Sequence, residues 1–178
     1  MTIRGHKPDE GPALESLFTR VFTEFDSEEE GRMVGRLARK LMDETSAGDL
    51  SGFVIENGGS LVAAIFFSRL TFASGVQAFL LGPVAVHSGH QGQGIGQRLI
   101  HHGLKALKAE GVEFAVTYGD PRFYGKVGFD PIDPEVVVPP FALSQPEGWL
   151  GQSLSATPLA ALSGRCTCVP PLNDPAYW

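Results

Sequence analysis

A run of small and uncharged residues, Gln91-Gly92-Gln93-Gly94-Ile95-Gly96, joins two segments of opposite character. Before it, residues 78–86 are strongly apolar and read as a strand. After it, Leu99, Ile100, Leu104 and Leu107 recur at helical spacing up to Gly111. A strand feeding a glycine turn that opens a helix constrains the fold more than any other feature. A helix start leaves up to about four amide N–H groups without partners, and its dipole adds about half a positive charge. Glycine lets the backbone approach an anion with no Cβ in the way. The segment therefore reads as a phosphate cradle or as a tight turn packed for space.

The spacing narrows the choice. Gly92-x-Gly94-x-Gly96 lacks the two residues that the dinucleotide fingerprint places before its last glycine. An acidic residue about 20 positions later exists as Glu110 or Glu113, but neither ends a second strand. No Gly-Lys-Ser/Thr follows, so the segment is not a P-loop. Length and the missing catalytic-loop signature exclude a protein kinase.

The remaining elements give an α+β, or mixed α/β, class in one domain over residues 1–178. A short strand near Ile3 precedes a helix carrying Ala13, Leu14, Leu17, Phe18 and Val21. Ser27 caps a second helix with Glu28, Glu29 and Glu30 in its first turn and Met33, Val34, Leu37 and Leu41 as its stripe. Asn57-Gly58-Gly59 reads as a hairpin turn, and Phe114-Ala115-Val116-Thr117-Tyr118 as a strand. Asp120 and Pro121 then open a short helix that ends at Gly128. Beyond Pro139 only residues 165–169 suggest an element, an edge strand that would be a pairing surface for a second copy.

Charge excludes some partners. The net charge of −6 argues against nucleic acid or anionic membrane and leaves a cationic amine unopposed. With no apolar run of spanning length, a cytoplasmic location is expected. Cys166 and Cys168 give no disulfide framework and are expected buried and reduced. His87-x-x-His90 and His101-His102 lack a carboxylate cluster, so no metal is expected.

Gln91-x-x-Gly94-x-Gly96 after Val84-Ala85-Val86 resembles the acetyl-CoA-binding motif of the GNAT superfamily of N-acetyltransferases. Phe123-Tyr124-Gly125-Lys126-Val127-Gly128-Phe129 resembles that family's short-helix segment, where a tyrosine precedes a glycine-phenylalanine pair. The two stand in the family's order, one helix and one strand apart. The resemblance covers residues 3–129 and runs toward the predicted bacterial acetyltransferases of the YhbS-like type.

The resemblance implies the GNAT acyltransferase fold, a central mixed sheet flanked by helices. It implies acetyl-CoA as co-substrate and direct acetyl transfer to a primary amine of a small molecule or protein. The alternative it leaves is an acyl-CoA-binding sensor without turnover. By the same resemblance, backbone groups of Val84, Ala85 and Val86 would bind the pantetheine arm. Amides of Gln91, Gly92, Gln93, Gly94, Ile95 and Gly96 would cradle the pyrophosphate, with Gln97 adjoining and Arg98 at the edge. Tyr124 would donate to the departing thiolate. Gly82-Pro83 fits the place where the family's two strands splay, and an N–H of Val84 or Ala85 would meet the oxyanion. Some members carry a glutamate where this chain has Gly82, so the base is open: His87, Asp120, Tyr118, Glu24 or a water chain. The acceptor site would fall to residues 18–41 and 139–178. Trp149 and Trp178 either pack the C-terminal region or border that site.

Overall fold

Close contact between two helices sets the first part of the structure. A computed structural model describes residues 1–178. After β1 (Thr2–Gly5), α1 (Gly11–Phe25) buries Leu14, Leu17, Phe18 and Val21, as its periodicity requires. α2 (Glu28–Glu44) starts where Ser27 accepts a hydrogen bond from the Glu30 amide at 3.1 Å. On α2, Gly31 and Gly35 meet α1 so closely that a Cβ on either would collide with the hydroxyl of Thr23 or Thr19. The same added atom on Gly35 would lie 3.0 Å from the Glu15 carbonyl oxygen.

These helices belong to one of two compact units, Met1–Phe66 with Pro83–Gly103. Its strands are β1, β2 (Leu50–Asn57), the start of β3 (Ser60–Phe72) and the end of β4 (Gln77–Val86). Gly58 and Gly59, at φ 59° and 82°, make the two-residue turn between β2 and β3 that the Asn57-Gly58-Gly59 sequence predicts. β1 lies antiparallel to β2 with Ile3 opposite Ile55. The Arg4 guanidinium fastens this edge, meeting Glu10 at 2.5 Å and Glu56 at 2.9 Å. Phe18 and Phe66 stack inside at 6.0 Å.

The other unit is Phe67–Gly82 with Leu104–Trp178. β3, β4 and α3 (Ile95–Ala109) run on from one unit into the other. β5 (Phe114–Tyr118) lies parallel to β4, from Ala78 opposite Phe114 to Leu81 opposite Thr117. α4 (Pro121–Tyr124), β6 (Asp130–Pro131) and β7 (Val137–Val138) follow. β8 (Trp149–Ser153) then lies antiparallel to β5 along its whole length, with β6 on its other side. No feature of the sequence beyond Pro139 announces β8. β9 (Gly164–Thr167) does occupy the region expected of a late strand, but it is not a bare edge. Gly164 and Arg165 pair with β7, while Cys166 and Thr167 pair with β3. No helix is long and apolar enough to cross a membrane.

Gly35→Val is expected to cost about 1–3 kcal/mol by overpacking and to lower the melting temperature by roughly 3–10 °C in a chain of this size. Gly48→Ala, where an added Cβ meets nothing within 4 Å, serves as the control. Equal melting temperatures for both variants would contradict the packing account.

Candidate active site

Where β4 ends, the chain enters the glycine run through a small hydrogen-bonded turn. The His87 amide donates to the Val62 carbonyl at 2.8 Å, and the Gly89 amide donates to His87 Nδ1 at 3.1 Å. The Gln91 side-chain amide donates back to the Val86 carbonyl at 2.9 Å, bracing the turn on the strand. The Gln91 main-chain amide, expected in the cradle, instead points to the Ser88 carbonyl at 3.4 Å. Gly92 and Gly94 follow in the left-handed region, at φ 75° and 72°, with nothing within 4 Å of where a side chain would stand. The first helical bond of α3 comes only at the Arg98 amide, which donates to the Gly94 carbonyl at 3.0 Å. The amides of Gly92, Gln93, Gly94, Ile95, Gly96 and Gln97 have no main-chain or side-chain acceptor in the chain. A set of oriented donors beside open space at a helix start fits a phosphate group. Arg98 is exposed.

Earlier on β4 the pairing with β5 stops. Its last pair is Leu81 with Thr117. Gly82 follows at φ 149°, a conformation that L side chains rarely adopt, and Pro83 has no N–H to donate. β4 nonetheless continues through Val84, Ala85 and Val86, with the Ala85 side chain buried and its two neighbours half-buried. Val84 carries the first main-chain donor after this break.

Tyr124 is held by its local sequence. Asp120 caps α4 by accepting from the Arg122 amide at 2.9 Å, Pro121 begins the helix, and Gly128 at φ 94° ends the following turn. The Tyr124 ring lies directly over Gly119, where a Cβ would come within 2.5 Å of ring carbon Cε2. Phe123 and Phe129 present their edges or faces to it, at 5.0 and 5.9 Å between centroids. Behind it, the buried Thr117 Oγ1 donates to the Leu81 carbonyl at 2.9 Å. Burial pushes the Tyr124 phenol up to about 12, with Thr117 pulling weakly the other way. Near neutral pH the phenol is thus fully protonated, an acid with a proton to give.

None of the four side chains considered as base stands free. Asp120 is held below the usual carboxylate range by the Arg122 amide and then its guanidinium. Glu24 is lowered by Arg20, at 3.0 Å, and by Ser88. The Tyr118 hydroxyl accepts from the Gln145 amide at 2.7 Å and meets Ser144 at 3.0 Å. Its ring stacks on Trp178 and meets the edge of Trp149, so these tryptophans pack the C-terminal segment. Trp149 Nε1 donates to the Val137 carbonyl and Trp178 Nε1 to the Leu172 carbonyl. His87 Nδ1 already accepts from Gly89. Its ring borders a polar groove of about 550 Å³ with Arg4, Lys7, Glu10, Arg20 and Glu56, whose arginines are paired with carboxylates. Glu30, read from sequence only as a favourable first-turn charge, is raised by partial burial and then by Asp26 and Glu29. Cys166 is buried, with its thiol pushed up to about 12, and donates to the Val138 carbonyl.

Two residues of this arrangement went unassigned in the sequence. Thr117 is a lone hydroxyl after apolar Phe114, Ala115 and Val116, and Gly119 sits between the strand and the Asp120 cap. The polar interruption of an otherwise buried strand was the available signal for the first.

Residues 48–131 match the acetyltransferase (GNAT) domain. The uncharacterized N-acetyltransferase YjhQ of Escherichia coli (strain K12) is 30% identical over 141 residues, covering 76% of this chain and 77% of the relative. YhbS from the same strain is 28% identical over 131 residues, covering 73% and 74%. A 1.55 Å crystal structure of YhbS from Escherichia coli in complex with CoA superposes with a TM-score of 0.83 at 23% identity, over 97% of this chain and 92% of that one. A GNAT family acetyltransferase from Brucella melitensis in complex with acetyl-CoA gives 0.64 at 27% identity, over 72% and 82%. The chain belongs to the GNAT acetyltransferase family and has its fold.

Alkaline absorbance titration tests the phenol directly. Tyr124→Phe is expected to remove a phenol that ionises at about 12. Loss of a phenol that ionises near the ordinary value of about 10 would contradict the buried environment.

Proposed function

We propose that the protein transfers an acetyl group from acetyl-CoA directly to a primary amine, of a small molecule or a protein. The observation that carries this reading is the row of unpartnered amides from Gly92 to Gln97. Gly92, Gln93, Gly94, Ile95 and Gly96 hold the diphosphate, with Gln97 adjoining, while Gln91 braces the turn through Val86. The main chain of Val84, Ala85 and Val86 receives the pantetheine arm where β5 no longer pairs.

The amine must first lose a proton. A lysine-like amine with a pKa of about 10.4 is only about 0.04% neutral at pH 7, a cost of roughly 4.6 kcal/mol. With every side-chain base engaged, a water chain to solvent carries that proton. The neutral nitrogen attacks the thioester carbon, and the Val84 or Ala85 N–H stabilises the developing oxyanion. The C–S bond then breaks with its electron pair on sulfur, and Tyr124 supplies the proton that makes the thiol. The engaged bases favour one competitor, an acyl-CoA sensor without turnover.

Release of free thiol from acetyl-CoA across a panel of amines separates the two. Turnover is expected, and Tyr124→Phe is expected to lower kcat about 10²-fold with KM for acetyl-CoA unchanged. Gly94→Val, which forces a branched residue into the left-handed region, is expected to raise that KM at least about tenfold. Binding of acetyl-CoA without thiol release from any amine would favour the sensor. Undiminished kcat in folded Tyr124→Phe would remove the phenol from the chemistry.

A further inference from the structure

Gly119 stands between the last residue of β5 and the Asp120 cap of α4. Its φ lies outside the left-handed region, so the backbone there does not call for glycine. Space calls for it instead. A Cβ at Gly119 would stand 2.5 Å from Tyr124 Cε2, 3.2 Å from Cδ2 and 3.5 Å from Cζ. Cε2 adjoins the carbon that carries the hydroxyl, so the contact falls at the phenol end of the ring.

The main chain of Gly119 is held in its turn. Its amide donates to the Gly148 carbonyl at 3.0 Å. A Cβ on Gly148 would come within 2.7 Å of the Gly119 carbonyl oxygen, so the two backbones touch. Gly148 is buried, and its amide donates to the Gln145 carbonyl at 2.9 Å. The Gln145 amide donates to the Tyr118 hydroxyl at 2.7 Å, and Tyr118 pairs with Trp149 across β5 and β8. Backbone movement at Gly119 would disturb this whole ladder end. The half-buried Tyr124 ring, with Phe123 and Phe129 beside it, is the part that can yield.

We propose that Gly119 is a positioning residue for the acetyl-transfer step: its backbone, free of a side chain and pinned to Gly148, fixes where the Tyr124 hydroxyl stands. The inference rests on the reading of Tyr124 as the acid, and Gly119 acts only through that ring. An alanine at this position must push the ring back to ordinary contact, at 3.4 Å or more. The displacement is about 1 Å at Cε2, and a misplacement of that size can cost on the order of 10²-fold in rate. Because a side-chain end moves rather than backbone, the fold is kept while the acid leaves its place.

The test is Gly119→Ala, alone and combined with Tyr124→Phe. Alone, it is expected to lower kcat at least about tenfold with KM for acetyl-CoA unchanged. In the Tyr124→Phe background it should cost nothing further, because no hydroxyl is left to misplace. An equal loss of kcat in both backgrounds would show a structural defect and overturn the proposal. Wild-type kcat in folded Gly119→Ala, beside an impaired Tyr124→Phe, would overturn the role of Gly119 alone. An unimpaired Tyr124→Phe would overturn the reading beneath it. If Gly119→Ala does not fold, proton NMR of the native enzyme bound to coenzyme A decides. A strong cross-peak from a Gly119 α-proton to the Tyr124 ring is expected, and its absence overturns the proposal.

Discussion

Main-chain hydrogen bonding at the end of β4 governs the rest of the structure. The His87, Gly89, His90 and Gln91 amides are hydrogen-bonded within the turn or to Val62, and those of Gly92 to Gln97 are then left without acceptors. Such groups are costly unless water or a ligand meets them. Gly92 and Gly94 make the arrangement sterically possible, since left-handed backbone with open space beside it suits glycine alone. Gln91 and Gln93 are uncharged and Arg98 is exposed, so the proposed reading rests anion recognition on oriented backbone dipoles.

The same strand organises the chemistry. Gly82 and Pro83 end the ladder with β5, so main-chain groups from Val84 onward are released from that pairing. Just before the break, Leu81 accepts from the buried Thr117 hydroxyl. A shift of one residue in the β4–β5 register would invert which side chains face inward.

Much of this was legible in the sequence because local rules dictate it. The Ser27 cap, the Asn57-Gly58-Gly59 turn, the Asp120-Pro121 start and the Gly128 stop all depend on neighbours a few residues apart. The glycine run and the Tyr124 segment were readable for the same reason, strengthened by family resemblance. β8 was hidden because its pairing with β5 brings together residues more than 30 positions apart, and Trp149-Leu150-Gly151 shows no alternation. Its inner face is settled by Trp149 against Tyr118 and Trp178, contacts that no local pattern encodes. Thr117 was equally hidden, for its partner Leu81 lies 36 positions away on another strand. Gln91 shows the converse: the motif marks it as an amide donor, while the folded turn uses it as a brace.

The central claim is that backbone amides around Gly94 take the diphosphate of coenzyme A. Two-dimensional ¹H–¹⁵N NMR, with coenzyme A titrated into labelled protein, observes those amides one by one. The account requires the resonances of residues 92–97 to move downfield together and to saturate at one molecule per chain, with pantetheine lacking the diphosphate leaving them in place. Saturable binding that leaves those six resonances unmoved, or no binding, would contradict it.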